Sequence, residues 1–291
     1  MILVTGANGH LGRTVVDHLA KSVGPDQVIA ASRDPAKLSL PDGMEARRAD
    51  FADPDSLAEA FAEVEQLLIV SVDKLGEEAR NLHRNAIDAA REAGVGRVFY
   101  TSHAGARAGS PFLPADQHAA TEAELADSGL AFTALRHGFY AESCLQMIGD
   151  DLRRGDLRVP ESGPVSWTAR DDLAQADAAI LSGAMSWEGA SAPLTASRAL
   201  TMAEIAETAS DVTSREIRHT VIPDEQWRSA KVAAGVPERY ADMLLGVFCA
   251  SRDGDFDVVD PTLERLLGRE PRMLRDILAP ELSAPRATDH E

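Results

Sequence analysis

Residues 1–12, Met1-Ile2-Leu3-Val4-Thr5-Gly6-Ala7-Asn8-Gly9-His10-Leu11-Gly12, decide the fold. A short apolar, β-branched run reads as a buried strand and breaks into glycines at 6, 9 and 12. The chain then continues as a helix with Leu11, Val15, Val16 and Leu19 on one face. A G-x-x-G-x-x-G turn between strand and helix lets the backbone approach a pyrophosphate with no Cβ in the way. It also sets the phosphates against the helix N-terminus. Gly6, Ala7, Asn8, Gly9, His10, Leu11 and Gly12 are therefore candidates to hold a dinucleotide. The alternative is a purely structural glycine turn, and the strand before and helix after it favour the binding motif.

Working outward, the chain alternates. Further strands are predicted over 27–31, 44–48, 66–70, 97–102 and 131–136, with helices over 11–21, 54–61, 77–93 and 117–128. Asp53 before Pro54 marks a helix start, and Gly94 and Gly129 mark helix ends. Strands separated by helices of this length require parallel crossovers. The fold class is thus α/β, a doubly wound parallel sheet of the Rossmann type. Beyond about residue 150 the rhythm weakens. Extended pieces at 157–160, 165–168, 192–195 and 217–222 sit between helices near 171–182, 202–210, 224–234 and 237–249, predicting a second, smaller α/β lobe. The expected division is a dinucleotide-binding domain over 1–155 and a substrate lobe over 156–291, with interleaving of the two left open. Residues 279–291, with two prolines and mixed charge, read as a frayed tail.

With 291 residues the chain has ample length for a core. Acids number 47 against 29 bases, a net charge of −18 shared evenly by the two halves. That balance argues against nucleic acid and anionic membrane surfaces as partners, because binding to phosphates relies on Lys and Arg displacing counterions. Two cysteines, Cys144 and Cys249, support neither a disulfide framework nor a zinc site, and a reducing cytoplasm is the expected setting. Cys144, beside Leu145 and Ile148, reads as a packing residue. The opening residues reach glycine before a signal-peptide core could form, and no later apolar run is long enough to span a bilayer.

The end of the second strand selects the dinucleotide. An acid there would accept from the adenosine ribose, whereas this chain offers Ser32-Arg33-Asp34, and a guanidinium can hold a 2′-phosphate. NADP(H) is therefore favoured over NAD(H), the alternative being an Arg33 that merely pairs with Asp34. Asp50 and Phe51, after the third strand, are placed to reach the adenine with a carboxylate and a ring, or else belong to a helix cap.

These segments together resemble the NmrA-like group of atypical short-chain dehydrogenase/reductases, and within it the bacterial NAD(P)H:quinone oxidoreductases and triphenylmethane reductases. The resemblance runs through VTGANGHLG, ASRDPAKL, ADFADPDSL, HRNAIDAAREAGV, YTS and ADSGLAFTALRHGFYAE. It implies that Gly6 to Leu11 and Arg33 hold the phosphates and that Ser71, Val72 and Asp73 border the adenosine. It places Ser102 at the active-site serine position and Arg136, His137, Gly138, Phe139 and Tyr140 at the nicotinamide end. Where the group commonly has LRNGWY this chain has LRHGFY, so His137 and Phe139 are departures. A second departure is chemical. Carbonyl-reducing relatives use a Tyr-x-x-x-Lys pair to protonate an alkoxide, and Pro114 and His118 stand at those positions. Ordinary ketone chemistry is weakened by this, whereas acceptors such as quinones, which give weakly basic products, are not.

His118, near the fifth strand's end, is the candidate to hydrogen-bond or protonate the acceptor, and with Tyr140 it forms the expected catalytic set; an inert wall residue is its alternative. His103, Phe112, Phe139 and Tyr140 are expected to line the substrate pocket, the aromatics sandwiching a flat molecule. No spacing among the eight histidines matches a metal site. The expected function is an NAD(P)H-dependent reductase of a planar, electron-poor small molecule, and a homodimer is the expected assembly. Two alternatives remain at this stage. One is a non-catalytic NAD(P) sensor of the regulatory type in the same group, kept open by the missing Tyr and Lys. The other is an extended short-chain epimerase or dehydratase, which the same absence disfavours.

Overall fold

The computed structural model describes residues 1–283. In chain order its strands are β1 (Ile2–Val4), β2 (Val28–Ser32), β3 (Glu45–Arg48), β4 (Gln66–Ile69), β5 (Arg97–His103), β6 (Phe132–His137), β7 (Asp156–Val159), β8 (Gly189–Ala190) and β9 (Arg218–Val221). Its helices are α1 (His10–Val23), α2 (Pro54–Phe61), α3 (Glu77–Glu92), α4 (Leu113–Asp127), α5 (Ala141–Arg154), α6 (Arg170–Leu181), α7 (Met202–Thr213), α8 (Asp224–Ala233), α9 (Glu238–Arg252), α10 (Thr262–Leu267) and α11 (Leu274–Ser283).

Seven strands form one parallel sheet in the order β3-β2-β1-β4-β5-β6-β8. Val4 of β1 lies between Ala30 of β2 and Leu68 of β4, and all of β1 is buried, as expected of a strand covered on both faces. Alternation divides the core. Leu3, Leu67 and Tyr100 pack with Leu57, Phe61, Ile87 and Leu125 of α2, α3 and α4 on one face. Val4, Leu68 and Leu135 pack with Val15, Leu19 and Leu173 of α1 and α6 on the other. The strand order reverses between β1 and β4, so the ligand crevice of such a sheet lies above their C-terminal ends.

A third core, around Trp167, Ile205, Trp227 and Phe248, belongs to the small lobe, where β7 and β9 form a separate parallel pair. The chain beyond residue 155 contributes to both parts, since α6 packs against α1 and β8 extends the main sheet from β6. Three expectations differ. The pieces at 165–168 and 192–195 are not strands but make single bridges: Val165 to Leu200, and, at the end of β6 and just after it, His137 to Leu194 and Tyr140 to Thr168. Helix α4 begins at Leu113 and not at 117, because Pro114 sits in the first turn, where its missing N–H costs nothing. Of the expected frayed tail, 279–283 lie in α11, and 284–291 fall outside the described residues.

The small lobe meets the segment between β5 and α4. Arg107 donates two hydrogen bonds of 2.9 Å to the Asp255 carboxylate, and the Ser110 hydroxyl donates a third at 3.0 Å. A Cβ on Gly105 would stand 2.7 Å from the Asp255 carbonyl oxygen and 2.8 Å from the Phe256 ring, so the close seating of this loop requires glycine.

Candidate active site

The glycine loop leaves β1 through Gly6, whose φ of +64° is the left-handed conformation glycine adopts without strain. Two loop amides are used internally: Gly9 N–H donates to the Gly6 carbonyl at 2.8 Å and Ala7 N–H to that of Ala31 at 3.0 Å. Helix α1 has no side-chain cap and no acid in its first turn, so the amides of His10, Leu11 and Gly12 point out of the helix end without intrahelical partners. A Cβ on Gly12 would stand 2.5 Å from the Gly6 carbonyl oxygen and 3.0 Å from that of Thr5, so this glycine sets the helix against the strand. Ala7 and Leu11 are buried and offer backbone only, whereas Asn8, Gly9 and His10 are exposed. Asn8 Nδ2 ties the loop to the end of β2, donating at 3.1 Å to Ser32 Oγ and to the Asp34 carbonyl.

Arg33 is exposed beside that tie and, among the described residues, makes no ion pair or side-chain hydrogen bond. Asp34 pairs with Lys37 at 3.0 Å instead, which removes the pairing that would have made Arg33 a bland loop residue. Amides at a helix end and an exposed guanidinium after β2 fit the phosphates of a dinucleotide. Asp50 is half-buried and its carboxylate accepts from the Ala52 N–H at 3.0 Å, while the Phe51 ring is buried in the core with Leu57 and Phe61. Ser71 and Val72 follow β4 with their amides bonded to Thr101 Oγ1 at 2.8 Å and His83 Nε2 at 3.1 Å, and Asp73 is exposed.

Strand alternation corrects the expectation for β5 and β6. Arg136 turns toward α4, where its guanidinium grips the Glu122 carboxylate at 2.6 and 3.0 Å, and the Ser102 hydroxyl donates to the same carboxylate at 2.6 Å. His137 turns the other way, toward α6, where Nε2 lies 2.8 Å from Asp177 Oδ1; the two side chains are 1% and 0% exposed. Successive residues of a strand point into opposite layers, so the two side chains are tied to different helices, Arg136 to α4 and His137 to α6. Gly138 donates its N–H to the Leu194 carbonyl at 2.8 Å and faces Thr168 so closely that a Cβ would collide.

Phe139 and Tyr140 also diverge. Phe139 lies 5.2 Å from Phe112, 5.3 Å from His103 and 5.0 Å from Trp167, ring centre to ring centre. Tyr140 joins none of these; the Arg170 guanidinium lies 5.0 Å over its ring and its hydroxyl is 3.5 Å from His137 Nδ1. Burial and the nearby Asp177 carboxylate push its phenol above the usual range, a poor setting for an acid. The aromatic group gathers instead around His103, with Phe256 of the small lobe as a further wall at 5.3 Å. His118, half-buried on α4, stacks across from His103 at 6.3 Å with an interplanar angle of 24°. Its Nδ1 is 2.8 Å from the Tyr100 hydroxyl, and its Nε2 has no partner among the described residues. Burial pushes His103 down to about 4, and burial with the neighbouring imidazoles holds His118 well below its usual value, so both rings are neutral near pH 7. Cys144 is buried in the small-lobe core, where desolvation raises its thiol pKa.

Sequence reasoning missed Tyr100, His83, Glu122, Asp177, Asp255 and Phe256. The first four carried a local signal, being polar groups on otherwise apolar or core-facing helix and strand positions. Asp255 and Phe256 carried none, since only the folded chain brings them to His103 and Arg107. Among the described residues no set of His, Cys, Asp and Glu is arranged to hold a metal ion, and no helix is long and apolar enough to cross a membrane.

Comparison with known proteins agrees with the fold. Quinone oxidoreductase 2 of Escherichia coli (strain K12) is 35% identical over 282 residues, covering 95% of this chain and 96% of that one. The crystal structure of the NADPH-dependent quinone oxidoreductase of Escherichia coli complexed with NADPH superposes with a TM-score of 0.89 at 32% identity, covering 96% of this chain and 99% of that one. The Citrobacter sp. triphenylmethane reductase complexed with NADP(H) superposes with a TM-score of 0.88 at 31% identity, covering 97% and 100%. The profile of the NmrA-like family matches residues 1–276, and the chain belongs to that family.

Proposed function

We propose that this protein is an NAD(P)H-dependent oxidoreductase that reduces a planar, electron-poor small molecule such as a quinone, with NADPH preferred to NADH. The relatives named as quinone and dye reductases span nearly the whole chain, and the site has the parts such a reaction uses. When bound, the dinucleotide supplies hydride from its nicotinamide. The amides of His10, Leu11 and Gly12 hold the pyrophosphate, and Arg33 holds the 2′-phosphate. Phe112, Phe139 and His103 flank the flat acceptor, and His118 meets its oxygen through Nε2. The observation that carries the reading is the free Nε2 edge of His118 beside this aromatic group, in a site with no Tyr-x-x-x-Lys pair. A quinone that gains hydride becomes a hydroquinone monoanion, far less basic than an alkoxide, so a hydrogen-bond donor suffices and the final proton comes from water. The small lobe, through Trp167 and Phe256, shapes the acceptor side. A cytoplasmic homodimer completes the proposal, and light scattering of the purified protein checks the dimer.

The test is NADPH oxidation against a panel of benzoquinones, naphthoquinones, azo dyes, triphenylmethane dyes and aldehydes. Turnover of quinones is expected. Turnover of aldehydes alone overturns the quinone assignment, and tight nucleotide binding with no turnover of any acceptor is the behaviour of a sensor.

A further inference from the structure

We propose that Tyr100 is a positioning residue that fixes His118 as its Nε2–H tautomer, so that the ring offers the acceptor a hydrogen-bond donor. This rests on the reading of His118 as the group that meets the acceptor, and it follows from a chain of hydrogen bonds whose direction is set by groups that act in one sense only. The chain starts at the Val72 N–H, which can only donate and lies 3.1 Å from His83 Nε2. His83 therefore carries its proton on Nδ1, facing Thr121 Oγ1 at 3.0 Å. The Thr121 hydroxyl spends its own hydrogen on the Gln117 carbonyl, an obligate acceptor 3.0 Å away.

Tyr100 remains. Its side chain is fully buried, with the hydroxyl 3.5 Å from His83 Nδ1 and 2.8 Å from His118 Nδ1. His83 Nδ1 is already protonated and cannot accept. Of the acceptors beside it, Thr121 Oγ1 already takes the His83 proton and His118 Nδ1 is the short 2.8 Å contact, so the hydrogen goes to His118 Nδ1. The His118 proton is then on Nε2. His103 is set the same way, its Nδ1 accepting from the Gly105 N–H at 2.9 Å, so the two stacked rings both carry their protons on Nε2.

The surroundings keep His118 from becoming a cation. Burial opposes it first, and the imidazoles of His83 on α3, His103 at the end of β5 and His137 on β6 would meet it as like charge wherever they too became protonated. The acids of α4 do not relieve this. Glu122 is bound by Ser102 and Arg136, and Asp116 by Arg80 and the Gly109 N–H. A second proton on His118 would also displace the hydrogen that Tyr100 donates. Replacing Tyr100 removes that obstacle while leaving the imidazole in place.

The tautomer is measured on the full chain without cofactor or acceptor, by two-bond ¹H–¹⁵N correlation of the histidine rings. Wild type is expected to show a protonated Nε2 and a bare Nδ1 at His118, unchanged as the pH falls through the ordinary histidine range at about 6.5. In Tyr100→Phe the ring is expected to exchange between tautomers and to titrate nearer its ordinary range. Its kcat with 1,4-benzoquinone is expected to fall roughly tenfold, the worth of about one hydrogen bond, with the KM for NADPH unchanged and a pH dependence absent from wild type. A wild-type His118 protonated on Nδ1 and bare on Nε2, with Tyr100 donating to Thr121 instead, overturns the proposal. So does a variant whose tautomer and pH profile match wild type. If the variant does not fold, the wild-type spectrum alone decides. Failure of every acceptor in the turnover panel would count against the function and leave the tautomer result standing.

Discussion

The two ends of the cleft are made of different material. Above β1 and β2 the groups proposed to meet the cofactor are backbone amides at the start of α1 and one guanidinium without a partner among the described residues. Above β5 and β6 the polar side chains are mostly engaged with one another: Ser102 and Arg136 with Glu122, His137 with Asp177, Tyr100 with His118. The first end fails when an atom is added, because its recognition depends on open backbone. The second fails when an atom is removed, because a buried pair that loses one member leaves the other uncompensated.

His137→Leu tests the second half of that contrast most severely. It leaves the fully buried Asp177 carboxylate, one oxygen of which already lacks a partner, with none. A loss of roughly 3–5 kcal/mol in urea unfolding is expected, with NADPH affinity of the folded fraction little changed. Adding Asp177→Leu should recover much of the loss, since two apolar side chains can replace a buried pair at small cost. A single variant as stable as wild type would show that the pair is not what holds β6 to α6.

Gly12→Ala tests the first half. The added methyl meets the Gly6 and Thr5 carbonyls, which are backbone and cannot swing aside, so α1 must shift away from the loop. Overpacking of this kind costs about 1–3 kcal/mol, which predicts a loss of roughly ten- to a hundredfold in NADPH affinity by fluorescence titration, with far-UV circular dichroism unchanged. Unaltered affinity would mean that the helix end does not hold the phosphates.

The same contrast explains what could be read from the sequence. The cofactor end is written in local spacing: glycines at 6, 9 and 12 between an apolar strand and an amphipathic helix dictate backbone geometry, which needs no distant partner. Strand and helix periodicity likewise carried the parallel sheet as far as β6. The acceptor end depends on which face of a strand a residue occupies and on what packs against it. Arg136 and His137 are adjacent in sequence yet end in opposite layers, and Tyr140 parts from Phe139 in the same way. Phe256 reaches His103 only after the chain has built the small lobe. A local reading places all of these near the cleft, because the strand end is there, but cannot tell which side chains point into it.

Arg33→Ala gives the smallest effect and the finest distinction. Arg33 is exposed, so its contact with a 2′-phosphate is partly screened by water and is worth about 1–2 kcal/mol rather than the value of a buried pair. Asn8 holds the adjoining turn through Ser32 and Asp34, so the loop keeps its shape when the guanidinium is removed. The expected outcome is a roughly tenfold loss of NADPH affinity with NADH affinity unchanged, shrinking further as salt is raised. Equal losses for both nucleotides would instead place Arg33 on the pyrophosphate or adenine they share. The phosphate preference would then have to come from another group, and the cofactor end would no longer rest on one free side chain set among backbone amides.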